Sequence, residues 1–307
     1  MNGVLIVDKP SGLTSHDVVN RVRRILDQPS VGHLGTLDPL ATGLLPLVTG
    51  SLTRLAQFYT SSEKTYEGTI RFGFATDTYD SDGEPSSPTQ TVNVVLEELR
   101  DLAGGFVGLI DQMPPPFSAK KIKGVPAYRL ARKHKDVPLK VVKVEIKEFK
   151  ILGVEGDRAS FRARVASGTY MRSVAHDMGQ RMGCGAHLTS LRRTAVGEFT
   201  LGDAHTLEEL SAAARVNRPD EVEAMFIHPR RLLPQFPCVT ESDEIAAQIR
   251  NGRAANLPEL SQAKQVKVFA GQRELIAIAT RIAGTLFHPR IVLPATGPMG
   301  IAKEPSP

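Results

Sequence analysis

The stretch Gly32–Leu45, GHLGTLDPLATGLL, constrains this chain more than any other. One carboxylate, Asp38, lies among glycine, threonine and proline, and the chain then runs directly into Leu44-Leu45-Pro46-Leu47-Val48. A short apolar run bounded by turn residues reads as a buried segment. The acid therefore stands in a turn that leads into the core. An aspartate before proline often serves only to cap nearby amides. Two features argue for a further role. Gly32, Gly35 and Gly43 permit close backbone approach by something bulky. Asp38 also sits between Leu37 and Leu40, where an ionised group needs a partner.

A partner is available far along the chain. Met171, Val174, Ala175, Met178 and Met182 recur at helical spacing, so Tyr170–Met182 reads as a helix with one apolar stripe. Arg172 falls in its first turn, where the helix dipole disfavours a cation by a few tenths to about 1 kcal/mol. A carboxylate pairing with it would offset that cost.

The remaining chain mixes periods. Val4–Val7 reads as a strand running into Asp8-Lys9-Pro10, and Thr65–Phe72 alternates as a strand. Thr14 with Asp17 three residues on marks a helix start, followed by Val18, Val19, Val22, Ile25 and Leu26 and closed by Pro29. Thr91–Leu102 reads as helical, with Val95, Leu99 and Leu102 on one face. Val141–Leu152 and Ala159–Val165 read as strands joined by a turn over 153–157. Strands and helices without a regular βαβα repeat favour an α+β fold. Prolines 229, 234 and 237 mark a boundary, beyond which Val266–Phe269 and Leu275–Ala279 suggest a small β-rich module. The expected divisions are 1–235 with a basic insertion at about 114–142, then 236–300, then a disordered tail over 301–307.

Charge narrows the partner. Residues 117–150 carry nine lysines and two arginines against Asp136, Glu145 and Glu148, an excess larger than the +5 of the whole chain. Tyr128, Arg129, Arg132 and Lys133 interleave an aromatic with cations, a pattern suited to RNA backbone and a stacked base. No apolar run approaches the roughly 20 residues of a membrane helix, and no secretion signal opens the chain, so the expected location is the cytoplasm. Two cysteines, Cys184 and Cys238, form no CxxC pair and read as simple thiols. Neither dinucleotide nor NTP phosphate loops are present, and no histidines have metal-ligand spacing. Thr76–Gly83 carries Asp77, Asp80 and Asp82 but lacks the closing glutamate of a calcium loop. Its acids read as local turn formers, and a metal-assisted RNA hydrolase built on them is the weaker alternative. A binding module that remodels RNA without chemistry is another.

Together these residues resemble the TruB-type tRNA pseudouridine synthases. The resemblance rests on Gly32–Gly43, on Gly3-Val4-Leu5 leading to Asp8-Lys9-Pro10, on Lys64-Thr65-Tyr66, and on the Thr76–Gly83 loop. Gly168-Thr169-Tyr170-Met171-Arg172 and Gly183–Leu188 running to Leu191-Arg192-Arg193 complete it. It implies a pseudouridine synthase fold, with a mixed, mainly antiparallel central sheet flanked by helices and a PUA-like C-terminal domain. It implies isomerisation of uridine 55 in the tRNA T-loop without metal, nucleotide or redox cofactor; separately, a monomer is the expected state. Asp38 would be the essential acid, either a nucleophile at the sugar or a base toward a sugar proton. Arg172 would pair with it, and Tyr66 would stack on the extruded uracil. Tyr170 and Leu191 would line the base pocket, His33 would help hold the opened loop, and Lys9 and Lys121 would contact the RNA. Phe117 and Lys120 depart from the tyrosine and leucine usual in this family.

Overall fold

A computed structural model describes residues 1–117, 140–216, 219–258 and 262–294, with the backbone alone of 121–122 and 125–126. Residues 118–120, 123–124 and 127–139 of the basic segment and the tail beyond 294 lie outside the described residues.

The first sheet explains the continuous apolar runs. Strand β1 (Gly3–Lys9) pairs antiparallel with β3 (Thr42–Thr49), which also carries short β2 (Val31–His33). Side chains alternate across a strand. Leu5 and Val7 therefore join Leu45 and Leu47 in one apolar cluster, while Val4 and Ile6 join Leu44 and Val48 in another. Both faces of this half of the sheet are covered, so no polar alternation appears in its sequence.

The other half is covered on one side only. Strands β4 (Lys64–Phe72), β5 (Gly108–Gln112), β6 (Val142–Glu155), β7 (Arg158–Val165), β8 (Ala186–Val196) and β9 (Ala204–His205) extend the sheet in the order β9-β1-β3-β8-β4-β7-β6-β5, and the short strand Phe199–Thr200 pairs with the end of β8. Along β7, Ala159, Phe161, Ala163 and Val165 are buried, whereas Arg158, Ser160, Arg162 and Arg164 face solvent. The covering layer is α1 (Ser15–Ile25), α2 (Leu96–Gly104), α3 (Met171–Arg181) and α4 (Leu207–Arg215). Helix α1 starts where the sequence places it, because Thr14 and Asp17 close a reciprocal capping box.

Two boundaries differ from expectation. Helix α2 begins at Leu96 rather than Thr91, with Val95 extended as its N-cap and 41% exposed instead of packed on a helix face. Val92, Val94 and Val95 are β-branched and favour the extended chain. Strand β6 also continues to Glu155, and a two-residue turn, Gly156-Asp157, joins it to β7; Gly153 stays in the ladder opposite Ser160, beside a bulge at Leu152, instead of opening the turn.

The C-terminal module is a separate five-stranded sheet. It comprises β10 (Cys238–Glu241), β11 (Ala255–Asn256), β12 (Gln265–Ala270), β13 (Glu274–Ala283) and β14 (Leu286–Val292), in the order β10-β12-β13-β14-β11. The sequence reading missed α5 (Asp243–Arg250), which packs on it and is capped by Ser242. Phe269, Leu275, Ile278 and Ile291 of this sheet meet the Val4–Ile6 side of the first, so the module covers that face.

Candidate active site

Asp38 is placed by backbone carbonyls, each answered by a donor. Arg193 donates from Nη2 to Gly35 O at 3.0 Å and from Nη1 to Thr36 O at 3.2 Å. Leu37 exchanges two hydrogen bonds with the Ser15 hydroxyl, its N–H donating at 2.8 Å and its carbonyl accepting at 3.1 Å. The Asp38 carbonyl accepts from Ala41 N–H, and Pro39 O accepts from Gly12 N–H and from Lys9 Nζ. A loop whose polar backbone is satisfied at consecutive residues is held to one geometry. The bulky group that approaches Gly43 is the chain itself. A Cβ there would lie 2.3 Å from Arg193 O, where β3 and β8 pair, and its φ is +93°.

The carboxylate so presented meets Arg172. Asp38 Oδ2 lies 2.9 Å from Arg172 Nε, with the guanidinium 5% exposed and the carboxylate 37%. That N–H is not aligned on an acceptor, so the contact is Coulombic. The remaining nitrogens fix the guanidinium plane: Nη1 donates to Thr78 O at 3.0 Å and lies 3.4 Å from Asp80 Oδ2, and Nη2 donates to Phe117 O at 2.8 Å. Arg172 thus has two carboxylates, one buried and one facing solvent. Burial pushes the Asp80 carboxyl above its ordinary range, opposed by hydrogen bonds from Thr78 and by the arginine. The acids of this loop do form local turns: Asp77 Oδ1 accepts from Glu84 N–H, and Asp80 Oδ1 from Thr78 Oγ1 and Asp82 N–H.

Asp38 and Arg172 line a cavity of about 370 Å³ together with Lys64, Tyr66, Tyr170, Leu191 and Arg193. Tyr66 and Leu191 are each 8% exposed. Gln112 from the edge strand clamps Tyr170, donating to its carbonyl at 3.1 Å and accepting from its N–H at 2.8 Å. The volume suits a nucleoside-sized guest, and the lining offers a carboxyl group, a guanidinium and an aromatic ring.

Two expected substrate contacts stand apart from it. Lys9 is fully buried, and its ammonium donates to Pro10 O, Leu13 O and Pro39 O at 2.8, 2.7 and 3.3 Å. It cannot reach RNA and instead ties down the Asp38 loop, while burial lowers its pKa to about 8. His33 ends β2, and its Nδ1 accepts from Gly35 N–H at 3.3 Å, outside the cavity lining. The Lys121 side chain lies outside the described residues. Sequence reasoning in turn assigned no role to Lys64, Arg193 or Gln112, and it read Asp80 as a turn former rather than as a partner of Arg172. Strand alternation could have found two of them, since Lys64 shares a face with Tyr66, and Arg193 with Leu191. Gln112 carried no local signal.

Among the described residues, no cluster of three or more His, Cys, Asp or Glu stands together as a metal site, and no helix is long and apolar enough to cross a membrane. Cys184 is buried and Cys238 half-buried, both as free thiols.

A mixed sheet with this cavity at its centre and a β-rich C-terminal module defines the pseudouridine synthase fold. A solved H/ACA ribonucleoprotein bound to a substrate RNA containing 2′-deoxyuridine matches 95% of this chain and 85% of its own at a TM-score of 0.71, with 23% identity. A Cbf5-Nop10-Gar1 complex matches at 0.67 over 92% and 79%, with 25% identity. The chain belongs to the TruB family of tRNA pseudouridylate synthases, isomerases that convert uridine to pseudouridine. Residues 23–171 match the TruB family pseudouridylate synthase N-terminal domain, and residues 172–234 match the tRNA pseudouridylate synthase B C-terminal domain. The tRNA pseudouridine synthase B of Solibacter usitatus (strain Ellin6076) is 50% identical over 95% of this chain and 100% of its own. That of Azoarcus sp. (strain BH72) is 38% identical over 97% of each.

Proposed function

We propose that this enzyme acts on uridine 55 in the T-loop of tRNA, with Asp38 as the essential carboxylate. The observation that carries this reading is the pairing of a solvent-facing Asp38 with a buried Arg172 in a cavity shared with Tyr66. The N1–C1′ bond of uridine breaks, the uracil turns, and C5 joins C1′; the C5 proton leaves and N1 regains one. Asp38 either attacks the sugar carbon or removes a sugar proton, and both roles need the ionised acid beside the anomeric centre. Arg172 supplies the counter-charge that keeps Asp38 oriented. Tyr66 stacks on the uracil, with Tyr170 and Leu191 closing the pocket. Extruding a base costs a few kcal/mol, and stacking on an aromatic returns about 1–3 kcal/mol.

His33 steadies the opened T-loop from the start of the Asp38 loop. The basic insertion, including Lys121, and the PUA-like module at 236–300 add backbone contacts around the catalytic unit at 1–235. The enzyme works as a cytoplasmic monomer without a cofactor. The test uses unmodified tRNA tritiated at uridine C5 and purified protein. Tritium release confined to position 55, lost in Asp38→Asn while tRNA binding survives, is the expected result. Equal turnover by that variant overturns the assignment, and binding without release would favour a remodelling module.

A further inference from the structure

Three lysines are buried among the described residues with accessibilities of 0, 7 and 1%: Lys9, Lys64 and Lys267. An ammonium has three donors and, once desolvated, needs acceptors for them. Lys9 donates to three carbonyls. Lys267 donates to two, Arg230 O and Leu232 O, at 2.9 and 2.5 Å. Lys64 donates to one, Ser62 O, at 2.6 Å. Among the described residues no carboxylate pairs with it. Of the three, only Lys64 lines the Asp38 cavity.

The other cavity cations each hold at least three acceptor groups. Arg172 is engaged by Asp38, Asp80, Thr78 O and Phe117 O, and Arg193 by the carbonyls of Gly35, Thr36 and Leu44. Lys64 lies at the opposite end of the Asp38 loop from Arg172, since a Cβ on Gly35 would meet its Cε at 3.7 Å and Arg193 Nη1 at 3.6 Å. Burial and the neighbouring Arg193 lower its pKa to about 8, so the charge is held at a cost that the protein alone does not offset. A cation with spare donors in a substrate cavity is complementary to an anion.

We propose that Lys64 is a substrate-binding residue whose ammonium takes an oxygen of the phosphodiester flanking the extruded uridine. This rests on the reading that a tRNA uridine enters the cavity. A lysine suits the role because it binds phosphate as a point charge and needs no fixed fork geometry.

The experiment is a double-mutant cycle between protein and RNA. Wild type, Lys64→Met and Lys64→Arg are assayed on a T-stem-loop and on versions with a methylphosphonate at the linkage 5′ or 3′ to the target. Lys64→Met is expected to raise KM about tenfold or more on the natural substrate with little change in kcat, and to reduce the salt slope of binding by about 1. Lys64→Arg is expected to recover most of the affinity. One of the two methylphosphonates should weaken wild type by a similar factor and leave Lys64→Met unaffected. Additive effects at both linkages, or an unchanged KM in Lys64→Met, overturn the proposal. Should Lys64→Met fail to fold, Lys64→Gln with the same substrates decides on the same criteria. Wild-type turnover of the unmodified stem-loop separates the two readings: its absence overturns the T-loop assignment, whereas turnover with additive cycles overturns the role of Lys64 alone.

Discussion

The cavity around Asp38 and the core of the C-terminal sheet bury different kinds of groups. Around the cavity, Lys9, Lys64, Arg172, Arg193 and Asp80 are all less than a tenth exposed. In the C-terminal module the packed residues include Val239, Ile249, Val266, Val268, Ile276 and Phe287, and the one buried charge among the described residues, Lys267, sits at its border with Leu232. Apolar packing is non-directional, and its benefit follows area. Hydrogen bonds to charged groups are directional, and a buried charge that loses its partner is heavily penalised. The first region therefore spends stability on geometry, and the second supplies stability with little demand on geometry.

Four substitutions test that contrast, in descending order of effect on turnover. Asp38→Asn keeps the size of the side chain and removes its charge. Turnover is expected to fall at least about 1,000-fold with tRNA affinity within about twofold, read by tritium release and filter binding. Arg172→Met strands the buried Asp80. It is expected to lower kcat about 100-fold and stability by about 3–5 kcal/mol in urea denaturation, with Arg172→Lys restoring only part, because an ammonium cannot span the same acceptors. Lys9→Met leaves Pro10 O and Leu13 O without their donor and Pro39 O with Gly12 N–H alone. It is expected to cost about 2–3 kcal/mol and to lower kcat about tenfold while KM stays near wild type; a raised KM with normal kcat would return Lys9 to the RNA-contacting role. Phe287→Ala is expected to cost about 3–5 kcal/mol in stability with kcat within about twofold of wild type at 25 °C. A large loss of kcat there would erase the distinction between the two regions.

Much of the site was legible because its signals are local or are charges out of place. Thr14 with Asp17, the stripe from Met171 to Met178, and an arginine in a helix first turn each carry a physical implication by themselves. The pairing of Asp38 with Arg172 followed from two charges that each lacked a partner. Lys9 was misread because a lysine beside a turn gives no sign of being enclosed, and three carbonyls from separate positions enclose it. Gln112 was invisible because its partner, Tyr170, is 58 residues away. Helix α5 has eight residues, too short for its period to stand out among strands.

The amino-acid pattern by itself determined where β1, β4, α1 and α3 lie and that Asp38 stands in a turn leading into the core, and its charge pointed to a polyanionic partner. Periodicity, turn chemistry and net charge are properties of neighbours in the chain, so no folding is needed to read them. Only the tertiary structure decided which lysine is a strut and which keeps free donors, because that depends on carbonyls brought together from distant segments. The same close packing sets Arg172 between Asp38 and Asp80 and leaves Lys64 facing the cavity.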